Sequence, residues 1–364
     1  MGALLFDMLL LSRGLVVSFH DLLDSLGFDV RVTATDSPIP GGARLTGARD
    51  AAAGLARLPE LAEVAPLLTG TGEVGVARRF LRFTMTAMDP GARRPWTVVS
   101  GSGLEASADP PVIVVNQSLM DTMRLPLGST VSVRVGCDGD RVAQVPRAFR
   151  LAGVAQFPFD DEAELSAVVT LAAVREACGG DADEADMLMV ASAGGSAAAV
   201  AAIRGARPDL VPVTNEQIVA RMQTQAFTYF RQISAVLSTI TLLFGFLLIT
   251  VLLTVSVNQR LGEIAALRAL GFSARRAAAD VLAQGAMLVG AGGLLALPLG
   301  WALSLWLDRI LKQMPGIPAA MHFFVFESQA LVVHAALLVV TALLASAYPM
   351  WLVARLPIAT TLRN

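Results

Sequence analysis

Lysine is almost missing from this chain. Of the 28 basic residues among 364, Lys312 is the sole lysine, and there are three histidines and two cysteines. A Walker-type phosphate loop needs a lysine directly after its glycine. Lys312 follows Leu311, so the chain has no such loop, and any ATP and magnesium would be bound by a separate subunit. There is also no H-E-x-x-H, G-x-S-x-G or C-x-x-C, and His20, His322 and His334 are far apart. No catalytic, cofactor-binding or metal-binding constellation is expected. The net charge of −2 argues against nucleic acid as a partner, which would call for a clustered basic surface. Arginine and alanine are abundant, which we read as genomic composition and not as chemistry.

Charge is the second shortage. Charged residues make up 16% of the chain, against about 25% in ordinary soluble proteins. Their density is ordinary from Asp21 to Arg231 and low after that, which separates an aqueous part from a lipid part. A helix needs roughly 20 mostly apolar residues to cross the hydrocarbon core. Residues 233–257 and 281–307 meet this requirement, and so do residues 330–353 with His334 included. Residues 2–19 are apolar but short and carry Asp7 and Arg13. They lack the basic start and small-residue cleavage site of a secretory signal. They read as a first transmembrane helix (residues 1–20) whose earlier turns lie upstream of Met1. A helix lying flat on the membrane is the alternative.

Arginine placement orients the spans. The segment between the second and third spans carries Arg260, Arg268, Arg275 and Arg276, and the tail carries Arg355 and Arg363. Both are therefore expected in the cytoplasm, and the long segment after the first helix outside it. Long translocated domains escape the rule, so the arginines in that segment do not count against it. Along the third span Gly292, Ala296, Gly300 and Ser304 recur every fourth residue. Small residues at that spacing let helices approach closely in lipid. The competing explanation is the general abundance of glycine and alanine. Pro298 is expected to bend this helix, and Tyr348 and Trp351 suit an interfacial belt. His334 is either a functional intramembrane group or a neutral ring reaching the headgroups.

The fold class expected is membrane α-helical, with about four transmembrane helices and an inserted α+β extracytoplasmic domain. The domain, residues 21–213, has strand signals at 28–33, 112–115, 130–135, 149–156, 167–170 and 187–191. Helices are expected at 47–58, 116–123 and 196–204. A smaller subdomain is expected between about Trp96 and Ala173. Thr214 to Gln217 has capping-box form. The apolar period after it runs into the second span, which predicts one continuous stalk and span over 214–257. A cytoplasmic segment (258–280), third span (281–307), outer loop (308–329), fourth span (330–353) and cytoplasmic tail (354–364) complete the order. Cys137 and Cys178 both lie in the extracytoplasmic domain, where a disulfide is permitted. Spacing alone leaves open whether they pair.

The most informative stretch runs Arg260-Leu261-Gly262-Glu263-Ile264-Ala265-Ala266-Leu267-Arg268-Ala269-Leu270-Gly271. It reads as a short helix with Leu261, Ile264 and Leu267 along one edge and Leu270 continuing the stripe. Gly271 supplies a left-handed C-cap and Ser273 caps the next helix. Such a helix either docks in a partner's groove or simply lies at the interface. The stretch closely resembles the R-x-x-E-I-x-x-L-x-A-L-G segment of FtsX-like permeases, the MacB/LolC type of ABC transporter. The end of the chain, from Tyr348-Pro349 to Pro357 and Leu362-Arg363, resembles that family's C-terminal P-A-x-x-A-x-x-x-P-x-x-x-L-R. Residues 112–123 with 127–133 resemble a strand–helix–G-x-x-V element of the MacB-type periplasmic domain. The first span is shorter than in that family.

The resemblance implies a multi-pass protein of the bacterial inner membrane. It implies a second permease subunit, a cytoplasmic ABC ATPase subunit that binds ATP and magnesium, and surrounding membrane lipid, with a periplasmic adaptor as a further candidate partner. Residues 258–280 would then hold the coupling helix, and the activity would be extrusion of a lipid, lipoprotein, peptide or drug-like molecule. The alternative is a non-transporting FtsX-like transducer that switches a cell-wall hydrolase.

Overall fold

The computed structural model describes residues 2–36, 42–76, 79–106, 108–138, 141–142, 145–179, 183–225, 228–324 and 328–355. In chain order its helices are α1 (Gly2–Ser25), α2 (Ala48–Leu55), α3 (Gln117–Met123), α4 (Leu171–Ala177), α5 (Ser196–Ala206), α6 (Asn215–Gln225), α7 (Thr228–Gln259), α8 (Leu261–Ala269), α9 (Ala274–Lys312) and α10 (Ser328–Arg355). Its strands are β1 (Val30–Thr33), β2 (Leu45–Thr46), β3 (Leu61–Val76), β4 (Arg79–Met88), β5 (Thr97–Gly101), β6 (Val112–Val115), β7 (Thr130–Asp138), β8 (Arg141–Val142), β9 (Arg147–Gln156), β10 (Ser166–Thr170), β11 (Glu184–Ala185), β12 (Met187–Ser192) and β13 (Val211–Thr214). The chain divides into two compact units. One is Met1–Ser18, Gln223–Ile310 and His322–Asn364, and the other is Phe19–Met222 with Leu311–Met321.

The second unit is the α+β domain. Strands β13, β1, β12 and β3 lie side by side. Alternation decides what each face carries. Val30, Val32, Leu188 and Val190 pack under Ala51, Ala52 and Leu55 of α2 and Ala199, Val200 and Ile203 of α5. Met187, Met189 and Ala191 take the opposite face with Phe28, Met88 and Trp96. From β3 the sheet continues through β4, β10, β6, β9 and β7, and β7 returns to pair with β3. These strands therefore close a ring. Phe83, Met85, Val133, Val135, Phe149 and Leu151 fill one core of it, with Leu119 of α3 and Val174 of α4. Strands β6 and β10 are buried on both faces, which is why they read as short continuous apolar runs.

Closing the ring requires Gly136. A Cβ there would collide with the backbone carbonyl of Thr71 on β3. The inner subdomain consequently begins within β3, upstream of the boundary expected near Trp96. Strand β3 itself, with Pro66, Gly70, Gly72 and Gly75, has the composition of a loop. Helix α2 ends at Leu55 and does not reach Pro59.

Among the described residues of the first unit, three helices are long and apolar enough to cross a membrane: Gln232–Gln259, Ala274–Lys312 and Ser328–Val353. Their outward faces carry Leu243, Leu247, Val251, Leu294, Leu299, Val339 and Leu343, all exposed, as suits contact with lipid tails. Helix α1 is not among the three. Its Phe6 and Leu10 pack with Ala330, Leu297 and Leu331. Thr214 and Gln217 form the expected reciprocal cap, with Gln217 N–H donating to Thr214 Oγ1 at 3.3 Å and Thr214 N–H to Gln217 Oε1 at 3.2 Å. Whether α6 runs unbroken into α7 lies outside the described residues, at 226–227. Helix α9 continues to Lys312, past the boundary expected at residue 307.

Candidate functional site

The short helix α8 sits between two membrane-crossing helices. Ala265 is buried, and Leu261 and Ile264 lie beside a cluster of Val257, Val281 and Val353. Arg268 Nη1 donates to the Val353 carbonyl at 3.3 Å. Leu267 is 46% exposed and Leu270 80% exposed. The four leucine and isoleucine positions thus do not share one edge, as the spacing suggested. Steps of three residues fall back about 60° each at 3.6 residues per turn, so Leu270 ends up opposite Leu261. One side of α8 faces its own bundle, while Glu263, Leu267 and Leu270 face away.

The end of α8 has a Schellman cap. Gly271 has φ +96°, its N–H donates to Arg268 O at 3.1 Å, and Phe272 N–H donates to Leu267 O at 3.1 Å. Ser273 Oγ then accepts from Arg276 N–H at 3.4 Å and starts α9. Arg260 stands at the N-cap of α8 without a side-chain capping bond.

Within α9 the buried positions are Val281, Gly285, Val289, Gly293, Ala296, Gly300 and Ser304. Three members of the expected ladder, Ala296, Gly300 and Ser304, lie on this stripe, but Gly292 is exposed with open space at its Cβ. Its neighbour Gly293 faces Leu338 of α10. Gly300 faces Phe6 and Ala3 of α1, and Ser304 Oγ donates to Asp7 Oδ1 at 2.6 Å. His334 is buried and sits edge-on to Phe6, 5.4 Å between ring centroids.

In the soluble unit Cys137 and Cys178 are joined, with 5.4 Å between their Cα atoms. The bond ties β7 to the end of α4.

Sequence reasoning missed a polar knot where α1 and α6 enter this unit. Asn215 is 1% exposed. Its Nδ2 donates to Asp24 Oδ1 at 2.9 Å and to Phe28 O at 3.1 Å, while Arg31 Nη1 donates to its Oδ1 at 2.7 Å. Asn215 N–H also donates to Asp29 O at 3.0 Å. Burial lowers the Arg31 guanidinium to about 10, partly offset by Asp24, so it stays charged at neutral pH. The knot fixes the last turn of α1, strand β1 and the first residue of α6 together. Its one sequence signal was an arginine inside an apolar strand.

Among the described residues no group of His, Cys, Asp and Glu is arranged to hold a metal ion. Comparison with known proteins places the chain. The family model described as FtsX-like permease C-terminal matches residues 235–358, and the MacB-like periplasmic core domain matches residues 3–206. The periplasmic region of MacB from Actinobacillus actinomycetemcomitans is similar at 13% identity, covering 57% of this chain and 99% of that one, with a TM-score of 0.40. The extracellular domain of the noncanonic ABC-type transporter YknZ from Gram-positive bacteria is similar at 10% identity over 51% of this chain and 99% of that one, with a TM-score of 0.35. No curated protein matches. The apolar spans and the inserted domain fit a multi-pass inner-membrane protein with its large domain outside the cytoplasm. This chain belongs to the family of FtsX-like permeases with a MacB-like periplasmic core domain.

Proposed function

We propose that this chain is the permease subunit of an ABC transporter and that it works by transmitting motion from a cytoplasmic ATPase to its outer domain. The observation that carries this is α8: a capped helix between two membrane-crossing helices, with Leu267, Leu270 and Glu263 turned away from its own bundle. A buried apolar anchor usually dominates a helix-in-groove contact, and Leu267 is centrally placed for that role. Glu263 is available for a basic residue of the ATPase, and Arg260 and Arg268 flank it.

In this reading α1 serves as a further membrane helix, packed on α9 and α10 through Phe6, Gly300 and the Asp7–Ser304 bond. A second permease completes the assembly, and a periplasmic adaptor is a candidate partner. The substrate is a lipid, lipoprotein, peptide or drug-like molecule pushed onward outside the cytoplasm. The MacB-like core domain supports transport over an FtsX-like transducer.

The test is purification with the neighbouring ATPase subunit. Leu267→Asp should leave the permease folded and inserted but abolish co-purification and coupled ATP hydrolysis. Gly271→Val should do the same by straining the positive-φ cap. Wild-type binding and hydrolysis in Leu267→Asp would reject α8 as the coupling element.

A further inference from the structure

Residues 311–321, which lead from α9 toward α10, belong to the second unit. This segment folds on itself through Met314 N–H to Leu311 O at 3.0 Å and Met321 N–H to Pro318 O at 2.9 Å, with Gly316 at φ +81°. Two further amides point out of it. Gly316 N–H donates to Asp161 Oδ2 at 2.7 Å, and Ala319 N–H donates to the carbonyl of Asp160 at 2.8 Å. Bonding to Gly316 holds the Asp161 carboxyl below its usual range, so the acceptor is ionised at neutral pH.

The receiving turn, between β9 and β10, is itself anchored. Asp160 Oδ1 accepts from Ser166 Oγ at 2.9 Å, and Oδ2 accepts from Asn116 Nδ2 at 2.7 Å. Asn116 also caps α3 by accepting Leu119 N–H at 2.9 Å. A pull on this turn therefore reaches β10 and α3, which line the ring core. Directly after the segment the first unit resumes at His322. His322 N–H donates to Ser18 Oγ at 2.8 Å, and Phe323 N–H donates to Asp308 Oδ1 at 2.7 Å. Only Ala320 and Met321 separate these two sets of bonds. Ala319 and His322 can lie at most about 11 Å apart along a fully extended chain, so any larger displacement must pass along it.

We propose that residues 311–321 are a third mechanical link, which carries movement of the outer ends of α9 and α10 to the β9–β10 turn, in addition to the two paths through α1 and α6. The inference rests on the motion-transmitting function proposed above. Such a link would act on the ring directly, whereas α1 and α6 act at the Asn215 knot.

Hydrogen exchange on the full chain in nanodiscs, with and without the ATPase subunit and ATP, tests it. For the chain alone, the amides of residues 314–321 should be protected at neutral pH. Asp161→Ala should raise their exchange about tenfold or more and leave β9 and β10 unchanged, while Asp161→Asn, which keeps an acceptor, should restore part of the protection. With ATPase and ATP, exchange in residues 157–166 should change in the wild type and not in Asp161→Ala, while the response around Asn215 persists in both. Unprotected loop amides in the wild type would overturn the link whatever the ATPase does, and so would a full nucleotide response at 157–166 in Asp161→Ala. Absence of any nucleotide response, including around Asn215, would instead bring down the motion-transmitting function, and the link with it.

Discussion

Asp160 holds two side-chain donors and yet resists ionisation. Burial pushes its carboxyl up to about 6, against the lowering pull of Asn116 and Ser166, and nearby Glu164 and Asp161 add to the rise. The sign for stability follows. Between the ordinary carboxylate value of about 4 and the folded value, the native state binds more protons than the unfolded chain, so stability falls as pH rises through this window. Asp160→Asn keeps the shape and removes the ionisation. Urea unfolding of the full chain in detergent should show the wild type losing stability relative to Asp160→Asn as pH rises from about 4 to about 6. A difference independent of pH across that window would show that the carboxyl is not desolvated. Asn215 is a residue of another kind, satisfied on both ends of its amide. Asn215→Ala leaves the Arg31 guanidinium and the Asp24 carboxylate without their shared partner, and should cost about 1–3 kcal/mol. An unchanged urea midpoint would remove the knot from any account of how α1 and α6 are held.

Helix α9 shows how spacing misleads at the scale of an element. Steps of four residues advance a side chain by about 40° each, so a strict ladder from Gly292 to Ser304 drifts by about 120°. From Gly293 to Ser304 the buried stripe limits the drift to about 20° by one step of three, from Gly293 to Ala296. Gly293→Leu should therefore lower the thermal stability of the detergent-solubilised chain, by about 1–3 kcal/mol of overpacking against Leu338. Gly292→Leu, at an open position, should fall within about 0.5 kcal/mol of wild type. Equal effects at both sites would mean that the contact between α9 and α10 is looser than the buried stripe requires.

The same scale decides what could be read in advance. The doubly buried strands β6 and β10, the capped helix α3 and the Thr214–Gln217 box all announce themselves, because each is specified by its own few residues. The long β3–β4 pair does not. Its strands are adjacent and pair from Val76–Arg79 to Leu67–Met88, but its glycines serve close approach, Gly72 to Phe83 and Gly70 to Met85, where composition suggests turns. The Asn215 knot and the Asp160–Asp161 turn join residues more than a hundred positions apart, and no local pattern encodes such a meeting. Leu267 and Gly271, by contrast, could be picked out from a contiguous motif.

At the scale of the whole molecule the charge distribution and the disulfide make a joint claim about compartments. Arg275 and Val145 are both exposed, and the arginine bias puts Arg275 in the cytoplasm and Val145 outside it. The joined pair Cys137–Cys178 lies in the same domain as Val145 and requires an oxidising surrounding. The pairing closes a loop with a sequence separation of 41 residues, for which the chain-entropy relation gives about 4 kcal/mol. Peptide mapping without reductant should recover Cys137 and Cys178 linked in protein extracted from cells, and two free thiols would reject the pair. A background with both replaced by serine then supplies the topology test, after its folding has been checked against the expected loss of stability. Arg275→Cys and Val145→Cys, introduced singly into this background, should react with an impermeant thiol reagent from opposite sides of the membrane. Val145→Cys should label in intact spheroplasts, and Arg275→Cys only after the membrane is opened. Labelling of both in intact spheroplasts would reverse the segment that carries α8 to the outer face, where no ATPase could reach it. The coupling role of Leu267 would then fall together with the orientation.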